Sequence, residues 1–307
     1  MPGDVGLQVP SPRISSFCRS PASILLKCAV TPYVSPILSI RDRKFEWGRR
    51  TYIMGIVNVS PESFSGDGVA DLDEAVEQAR RLAAEGADII DIGGQSTRPG
   101  FDEMSVEAEI ERIEPAIRRI VEAVELPVSI DSYRAEVAVA ALEAGAHIVN
   151  DITGFRRDPG MARLVAAWGV PAVVMHNQRG RDFHDVIGDI KNGLNESLAL
   201  AEDAGIQRQQ LIIDPGFGFG WTVEQNLEML RRLSELGELH LPILAGTSHK
   251  STIGAVLGRP EAERIWGTAA TVALAITKGA DIVRVHDVVE MAQVARMTDA
   301  VVRAPQS

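Results

Sequence analysis

From Thr51 onward one pattern recurs eight times: a short apolar run, a polar loop, an amphipathic helical stretch, then the next run. The runs occupy 52–57, 88–92, 127–130, 147–149, 172–175, 211–213, 242–245 and 281–283. Each is β-branched and apolar on both faces, as a strand buried in a parallel sheet must be. Three lead-ins are near copies: Glu-Gly-Ala-Asp-Ile-Ile-Asp at 85–91, Ala-Gly-Ala-His-Ile-Val-Asn at 144–150 and Lys-Gly-Ala-Asp-Ile-Val-Arg at 278–284. In each, a helix ends at glycine and the chain turns straight into a strand. The stretches 72–85, 106–124 and 223–236 carry apolar residues three and four apart, the spacing of one buried helix face. Residues 51–304 allow roughly 32 positions for each of eight units, the usual allotment of a (β/α)8 barrel. A doubly wound open sheet would place a glycine-rich phosphate turn after its first strand, and Ile56-Val57-Asn58-Val59-Ser60 is not one. The spacing therefore predicts an α/β fold, a (β/α)8 TIM barrel, as a single domain over 44–307.

Residues 1–43 read differently, with scattered Pro and Ser and a basic balance, and are expected to form a poorly ordered N-terminal extension. Its apolar stretch, 22–40, is broken by Lys27, Pro32 and Pro36, so no membrane span is expected. Both cysteines, Cys18 and Cys28, fall in this extension, which leaves the barrel sequence without a disulfide or thiolate metal site, as expected of a cytoplasmic enzyme. A formal net charge of −11 argues against nucleic acid or anionic lipid as a partner.

The strands run, in order, into Asn58, Asp91, Asp131, Asn150-Asp151, His176, Asp214, Thr247-Ser248, and Arg284 with His286. A lone Asp or Asn after a strand is often only a turn or helix cap. A polar residue at every strand end instead describes the polar mouth where barrels of this kind do their chemistry. Asp131 and Asp214, with Asn150, could make paired charge-assisted hydrogen bonds to a guanidine-like edge. Arg98, Arg284, His286 and Lys250 form a cationic group suited to phosphate oxygens.

At these residues the chain resembles the dihydropteroate synthase family. The resemblance covers roughly 46–304 through MGIVNVSPESFSGDG (54–68), DIGGQSTRPG (91–100), SIDSYRAEVA (129–138), NDITGF (150–155), VVMH (173–176), DPGFGFG (214–220), GTSHKSTIG (246–254) and VRVHDV (283–288). It implies condensation of 6-hydroxymethyl-7,8-dihydropterin pyrophosphate with 4-aminobenzoate, giving 7,8-dihydropteroate and pyrophosphate in folate biosynthesis. It implies Asp131, Asn150, Ile152, Met175, Asp214, Phe219, Lys250 and Arg284 as pterin-binding residues. Asn58, Arg98, Arg284 and His286 would hold the pyrophosphate, with Mg2+ beside Asn58, the one metal-binding residue. Thr97, Pro99, Phe219, Lys250 and Ser251 would line the aminobenzoate site. Asp131, Lys250, Arg284 and His286 are the implied catalytic residues, two loops at 59–71 and 95–104 would close over the pyrophosphate, and a homodimer is implied as well.

The chain departs from the family pattern at Glu62 (usually Asp), Gln95 (Glu), Trp221 (Lys), His249 (Arg) and Thr252 (often Phe). Trp221 and His249 are expected to remove fixed cations near the mouth. His249 and Thr252 flank Lys250 and Ser251, which raises tolerance of sulfonamides, mimics of aminobenzoate, with neutral drift at the pocket edge as the competing reading. Two other functions share the barrel. A pterin-dependent methyltransferase would lack the Ser-Thr-Arg-Pro-Gly and Ser-His-Lys-Ser segments, both present at 96–100 and 248–251. An impaired pterin-binding paralogue would have lost Arg98, Arg284 or His286. The lone residues His147, His184 and His240 read as surface or packing residues, and Trp168 and Trp266 as core or helix-edge.

Overall fold

The computed structural model describes residues 37–59, 69–94 and 104–303. A hairpin comes first, β1 (Ile37–Ile40) and β2 (Arg43–Glu46), formed from residues at the junction of the expected extension and barrel. The barrel then runs β3 (Tyr52–Asn58), α1 (Val69–Glu85), β4 (Ile89–Gly93), α2 (Val106–Ala123), β5 (Val128–Asp131), α3 (Ala135–Glu143), β6 (Ile148–Asp151), α4 (Pro159–Trp168), β7 (Ala172–Met175) and α5 (Val186–Ala204). It continues with β8 (Leu211–Asp214), α6 (Val223–Arg232), β9 (Leu244–Ala245), α7 (Ser251–Leu257), α8 (Ile265–Thr277), β10 (Ile282–Val285) and α9 (Val288–Val302). All eight expected strands are present, and every neighbouring pair in the sheet is parallel. The sheet order is β8-β7-β6-β5-β4-β3-β10-β9. Its ends meet through a parallel bridge between Ile213 and Ile243, where Ile213 N–H donates to Pro242 O at 2.9 Å. The fold is a (β/α)8 barrel.

The repeated lead-ins have a shared structural cause. The residue after each Gly-Ala accepts a backbone N–H from the preceding strand's segment: Asp88 from Ile53 at 2.9 Å, His147 from Val128 at 3.2 Å, and Asp281 from Ile243 at 3.2 Å. Two of them also collect other donors, Asp88 from Arg50 at 2.7 Å and Asp281 from Gly48 N–H at 3.0 Å. These polar side chains sit where the strands begin, so they stitch the amino-terminal end of the barrel and are satisfied by the fold itself.

Inside the barrel, side chains alternate with period two. Ile53, Val57, Ile90, Ile92, Ile130, Val149, Val174, Ile213 and Val283 belong to the core between strands and helices. Their alternates Tyr52, Met54, Ile89, Ile148, Val173, Ile212, Leu244 and Ile282 fill the lumen together with Leu38, Ile40, Phe45 and Trp47. The hairpin thus plugs the amino-terminal end, with Phe45 stacked 4.8 Å from Tyr52 and 5.8 Å from Trp47. Arg41, in the left-handed region at the hairpin turn, donates to Val124 O at 2.8 Å and Leu126 O at 3.1 Å, pinning the plug to the end of α2.

With the lower lumen filled by apolar side chains, the same inward positions one or two steps further along must carry the chemistry. Phe45 is 1% exposed. Phe45→Ala should therefore lower unfolding free energy by about 3–5 kcal/mol, read from the denaturant midpoint. Substrate KM should stay at the parent value, because the cavity would open at the far end of the lumen.

Candidate active site

Continuing the inward series past the apolar layers gives Asp91, Asp131, Asn150, Met175, Asp214 and Arg284, one after another around the lumen. They converge on Arg284. Its Nε donates to Asp91 Oδ2 at 2.6 Å and its Nη2 to Asp131 Oδ2 at 2.7 Å, joining β10 to β4 and β5. Asn150 Nδ2 donates to the same Asp91 oxygen at 3.2 Å. Asp91 is fully buried, and Asp91 Oδ1, Asp131 Oδ1 and Ser129 Oγ have no hydrogen-bond partner among the described residues. Burial works against the guanidinium's charge, but the Asp91 and Asp131 carboxylates outweigh it and hold Arg284 above the ordinary arginine range. Burial pushes the Asp131 carboxyl up to about 7, against the pull of Arg284. Asp214 is pushed up to about 6 by burial, opposed by the Gly216 N–H it accepts at 2.7 Å and by Lys250 and Arg284. Lys250 falls to about 8, again through burial.

Beside this polar floor lies an apolar wall. Tyr133, Ile152 and Met175 form a buried cluster with Phe219 packed against it. Lys250 Nζ lies 4.4 Å from the Phe219 ring centroid, and the Arg179 guanidinium 4.8 Å. The loop that presents Phe219 is shaped by glycine. Gly216 has φ +78°, and a Cβ there would stand 1.8 Å from the His176 carbonyl oxygen. Gly218 passes so near the Lys250 stem that a Cβ would meet Cδ at 3.1 Å, and its N–H is held by Asn226 Oδ1 at 2.7 Å.

On the far side, Ser248 Oγ and His286 Nδ1 lie 2.9 Å apart, and His286 N–H donates to the same oxygen at 3.3 Å. Burial, then Arg284 and His249, push His286 down to about 4, so the ring is neutral near pH 7. It can offer a hydrogen bond there and not the positive charge expected of it. Asn58 stands exposed at the carboxyl end of β3, and Ser251 exposed at the first position of α7.

The family profile described as pterin binding enzyme matches residues 54–286. A dihydropteroate synthase of Clostridium beijerinckii is 49% identical over 268 residues, covering 87% of this chain and all of its own length. The chain belongs to the dihydropteroate synthase family. A dihydropteroate synthase of Clostridium difficile, solved in the presence of pteroic acid, superposes with a TM-score of 0.82 at 46% identity, over 84% of this chain and 99% of that one. That of Xanthomonas albilineans, solved with 4-aminobenzoic acid, gives 0.83 at 42% identity, over 88% and 100%. The resemblance read from the motifs is thereby established, and the methyltransferase alternative is not favoured.

Of the residues the dihydropteroate synthase pattern singles out, Asp131, Asn150, Ile152, Met175, Asp214, Phe219, Lys250 and Arg284 lie along this floor and wall. Thr97, Arg98, Pro99, Glu62 and Gln95 lie outside the described residues. Two polar strand ends are not part of the mouth. His176 is fully buried beneath α5, where a Cβ on Gly193 would stand 2.0 Å from Nδ1, and its Nε2 meets Gln178 Oε1 at 2.8 Å. Asp151 accepts the N–H groups of Thr153 and Phe155 at 2.7 and 2.8 Å and shapes the turn after β6. Trp221 is buried against His176 and Phe183. Asp91 was visible as a polar strand end but not singled out; its inward parity with Ile89 was the signal. Ser248 was likewise visible only as a polar strand end, and Tyr133 carried no signal, because their roles depend on His286 and on the wall.

Removing Arg284 would strand two carboxylates in the lumen. Arg284→Ala should cost about 3 kcal/mol of stability near neutral pH. Without the cation the Asp131 carboxyl rises further above its unfolded value, so the deficit should grow from pH 5 to pH 8, where the folded variant keeps a proton that the parent releases near pH 7. Urea titrations at both pH values read it, and a deficit independent of pH would contradict the arrangement.

Proposed function

We propose that the chain joins 6-hydroxymethyl-7,8-dihydropterin pyrophosphate to 4-aminobenzoate, forming 7,8-dihydropteroate and releasing pyrophosphate. The observation that carries this reading is the side-by-side placement of an acidic, amide-bearing floor and an apolar wall in one barrel mouth. A flat heterocycle with a guanidine-like edge needs both at once: Asp131, Asn150 and Asp214 for its N–H groups, and Ile152, Met175 and Phe219 for its faces. Asp131 Oδ1 is an acceptor without a partner among the described residues, and a bound ring would satisfy it. Relatives solved with pteroic acid and with 4-aminobenzoic acid support the same assignment.

The reaction then needs a departing pyrophosphate and an attacking amine. The C–O bond to pyrophosphate breaks with its electron pair on oxygen, the amine nitrogen bonds to the exocyclic carbon, and the nitrogen sheds a proton. Arg284 and Arg98 would meet the charge growing on the phosphate oxygens, and His286 would donate a hydrogen bond. Asp131 and Asp214 would face the positive charge left on the pterin. Ser251 and Lys250 would hold the aminobenzoate carboxylate, with Phe219, Thr97 and Pro99 against its ring. No covalent intermediate is required.

No group of three or more His, Cys, Asp or Glu side chains among the described residues could hold a metal ion. Asn58 offers a single exposed oxygen, which fits an ion that keeps most of its waters and takes its other ligands from substrate phosphates. Bound there, Mg2+ would neutralise charge on the leaving pyrophosphate.

A homodimer fits the outer surface. Trp266, expected as core or helix-edge, is 82% exposed on α8, and Val256 of α7 and Met297 and Val301 of α9 are also largely exposed. Such apolar side chains on neighbouring helices mark a covered face. No described helix is long and apolar enough to cross a membrane. We assign that face to a second copy of the chain and the enzyme to the cytoplasm. Sedimentation should show a dimer for the parent and a shift toward monomer for Trp266→Glu.

Product formation from the two substrates with Mg2+ tests the whole reading. The kcat/KM for the pterin should rise with pH as Asp214 and Asp131 ionise between about 6 and 7, and fall as Lys250 deprotonates near 8. Lys250→Arg should move the alkaline limb upward, and a profile unchanged by it would contradict the role of Lys250. The same assay bears on sulfonamides. Thr252 is buried and both ring nitrogens of His249 are engaged, which favours ordinary sensitivity over tolerance. A sulfonamide inhibition constant far above the KM for aminobenzoate would reverse that.

A further inference from the structure

The sequence pattern marks His249 as a departure, and the structure places it at the junction of three segments around the site. It sits in the left-handed region, φ +53°, between Ser248 and Lys250. Nδ1 lies 2.8 Å from the backbone oxygen of Glu261, ahead of α8. Nε2 lies 2.5 Å from Asp287 Oδ2, at the start of α9 and next to His286. Its backbone is fastened as well: N–H donates to Thr268 Oγ1 at 3.1 Å, and the carbonyl accepts from Arg264 Nη1 at 2.8 Å.

Both ring partners are acceptors. A carbonyl oxygen has no proton to give, and an ionised carboxylate has none either. A neutral imidazole carries one N–H and can satisfy only one of them. The observed geometry is therefore that of a ring protonated on both nitrogens, so the chain has not lost a cation at this position. It carries one that can be removed by base.

We propose that His249 is a positioning residue whose doubly donating imidazolium ties the segment carrying Lys250 and Ser251 to Asp287, and through Asp287 fixes His286. The inference rests on the reaction assigned above and names how its two halves are held in register. Lys250 and Ser251 are on the pterin and aminobenzoate side, His286 on the pyrophosphate side, and the two histidine rings meet edge to face at 5.6 Å. The charged and titratable groups facing His249 among the described residues are Asp287, Glu261, Arg264, His286 and its chain neighbour Lys250. Burial lowers the affinity of the ring for its proton, but the Asp287 carboxylate and the Glu261 carbonyl outweigh it, leaving the net shift upward. The tie is thus fully present below the unfolded value of about 6.5 and is lost as pH rises through the raised value.

Two measurements separate this from a merely structural histidine. In 15N spectra of the free protein at acidic pH, His249 should show both nitrogens protonated with a titration midpoint above the ordinary histidine value, and Asp287→Asn should move that midpoint to lower pH. A midpoint in the parent at or below the ordinary histidine value of about 6.5 would overturn the inference without touching the assignment of the reaction. In kinetics, the ratio of parent to His249→Arg kcat/KM for aminobenzoate cancels limbs common to both, such as that of Lys250. Arginine keeps two N–H donors and its charge at all working pH values. The ratio should fall about tenfold across the interval in which His249 titrates, the loss of one charge-assisted hydrogen bond. In Asp287→Asn the corresponding fall should begin at lower pH. A ratio flat in pH, with product forming in both proteins, would overturn the positioning role. Absence of product from the parent would overturn the reaction instead, with the spectra still deciding the state of the ring.

Discussion

The structure turns on a cation placed inside a barrel. Arg284 crosses the upper lumen and binds Asp91 and Asp131 at 2.6 and 2.7 Å. Buried ion pairs recover their desolvation cost only with good geometry, and apolar side chains of the same volume would often stabilise the fold as well. Stability is therefore a weak reason for this triad. What it supplies is aim. Each carboxylate spends one oxygen on the guanidinium, and its other oxygen has no hydrogen-bond partner among the described residues, so the floor holds acceptors at fixed positions.

That aim depends on the closed lower end. Phe45, Trp47 and Tyr52 stop the lumen from below, and the apolar layer above them excludes water from beneath the triad. The resulting low dielectric is what lifts Asp131 to about 7 and Asp214 to about 6 and lowers Lys250 to about 8. The plug and the chemistry are one device, although the β1–β2 hairpin lies outside the repeating strand–helix pattern.

The eight strands, their direction and their closure into a barrel were legible because buried parallel strands admit only apolar side chains, and the glycine-led repeats marked where each began. The polar strand ends were legible as a set but not one by one. Asp91 and His176 both follow apolar runs, yet the two-residue period sends Asp91 into the lumen and His176 under α5, where Gly193 makes room for it. Periodicity can be counted only once the strand boundary is known to a single residue, and that is what a sequence specifies least well. Trp266 shows a different limit. Read as core or helix-edge, it stands at the exposed edge of α8, and helical spacing says nothing about what lies outside the chain. The charge state of His249 was hidden for a third reason: it is set by Glu261 and Asp287, which reach it only in the folded chain.

The charges of the described floor constrain the order of bond-breaking. Three carboxylates, Asp91, Asp131 and Asp214, face two cations, Arg284 and Lys250, and His286 is neutral. Such a floor does not attract a pyrophosphate by itself. It does stabilise positive charge on the heterocycle above it, and most strongly when that charge is greatest. In a substitution at the pterin's exocyclic carbon, charge on the ring is greatest when the leaving group departs ahead of full bonding to the amine. In the proposed reaction the acidic floor would therefore favour an early departure, with Arg98, Arg284, the His286 N–H and an ion held by Asn58 assigned to the anion. In that reaction the carboxylates of the barrel interior would stabilise the electrophile, so substitutions at Asp131 or Asp214 and substitutions at His286 should affect different halves of one transition state.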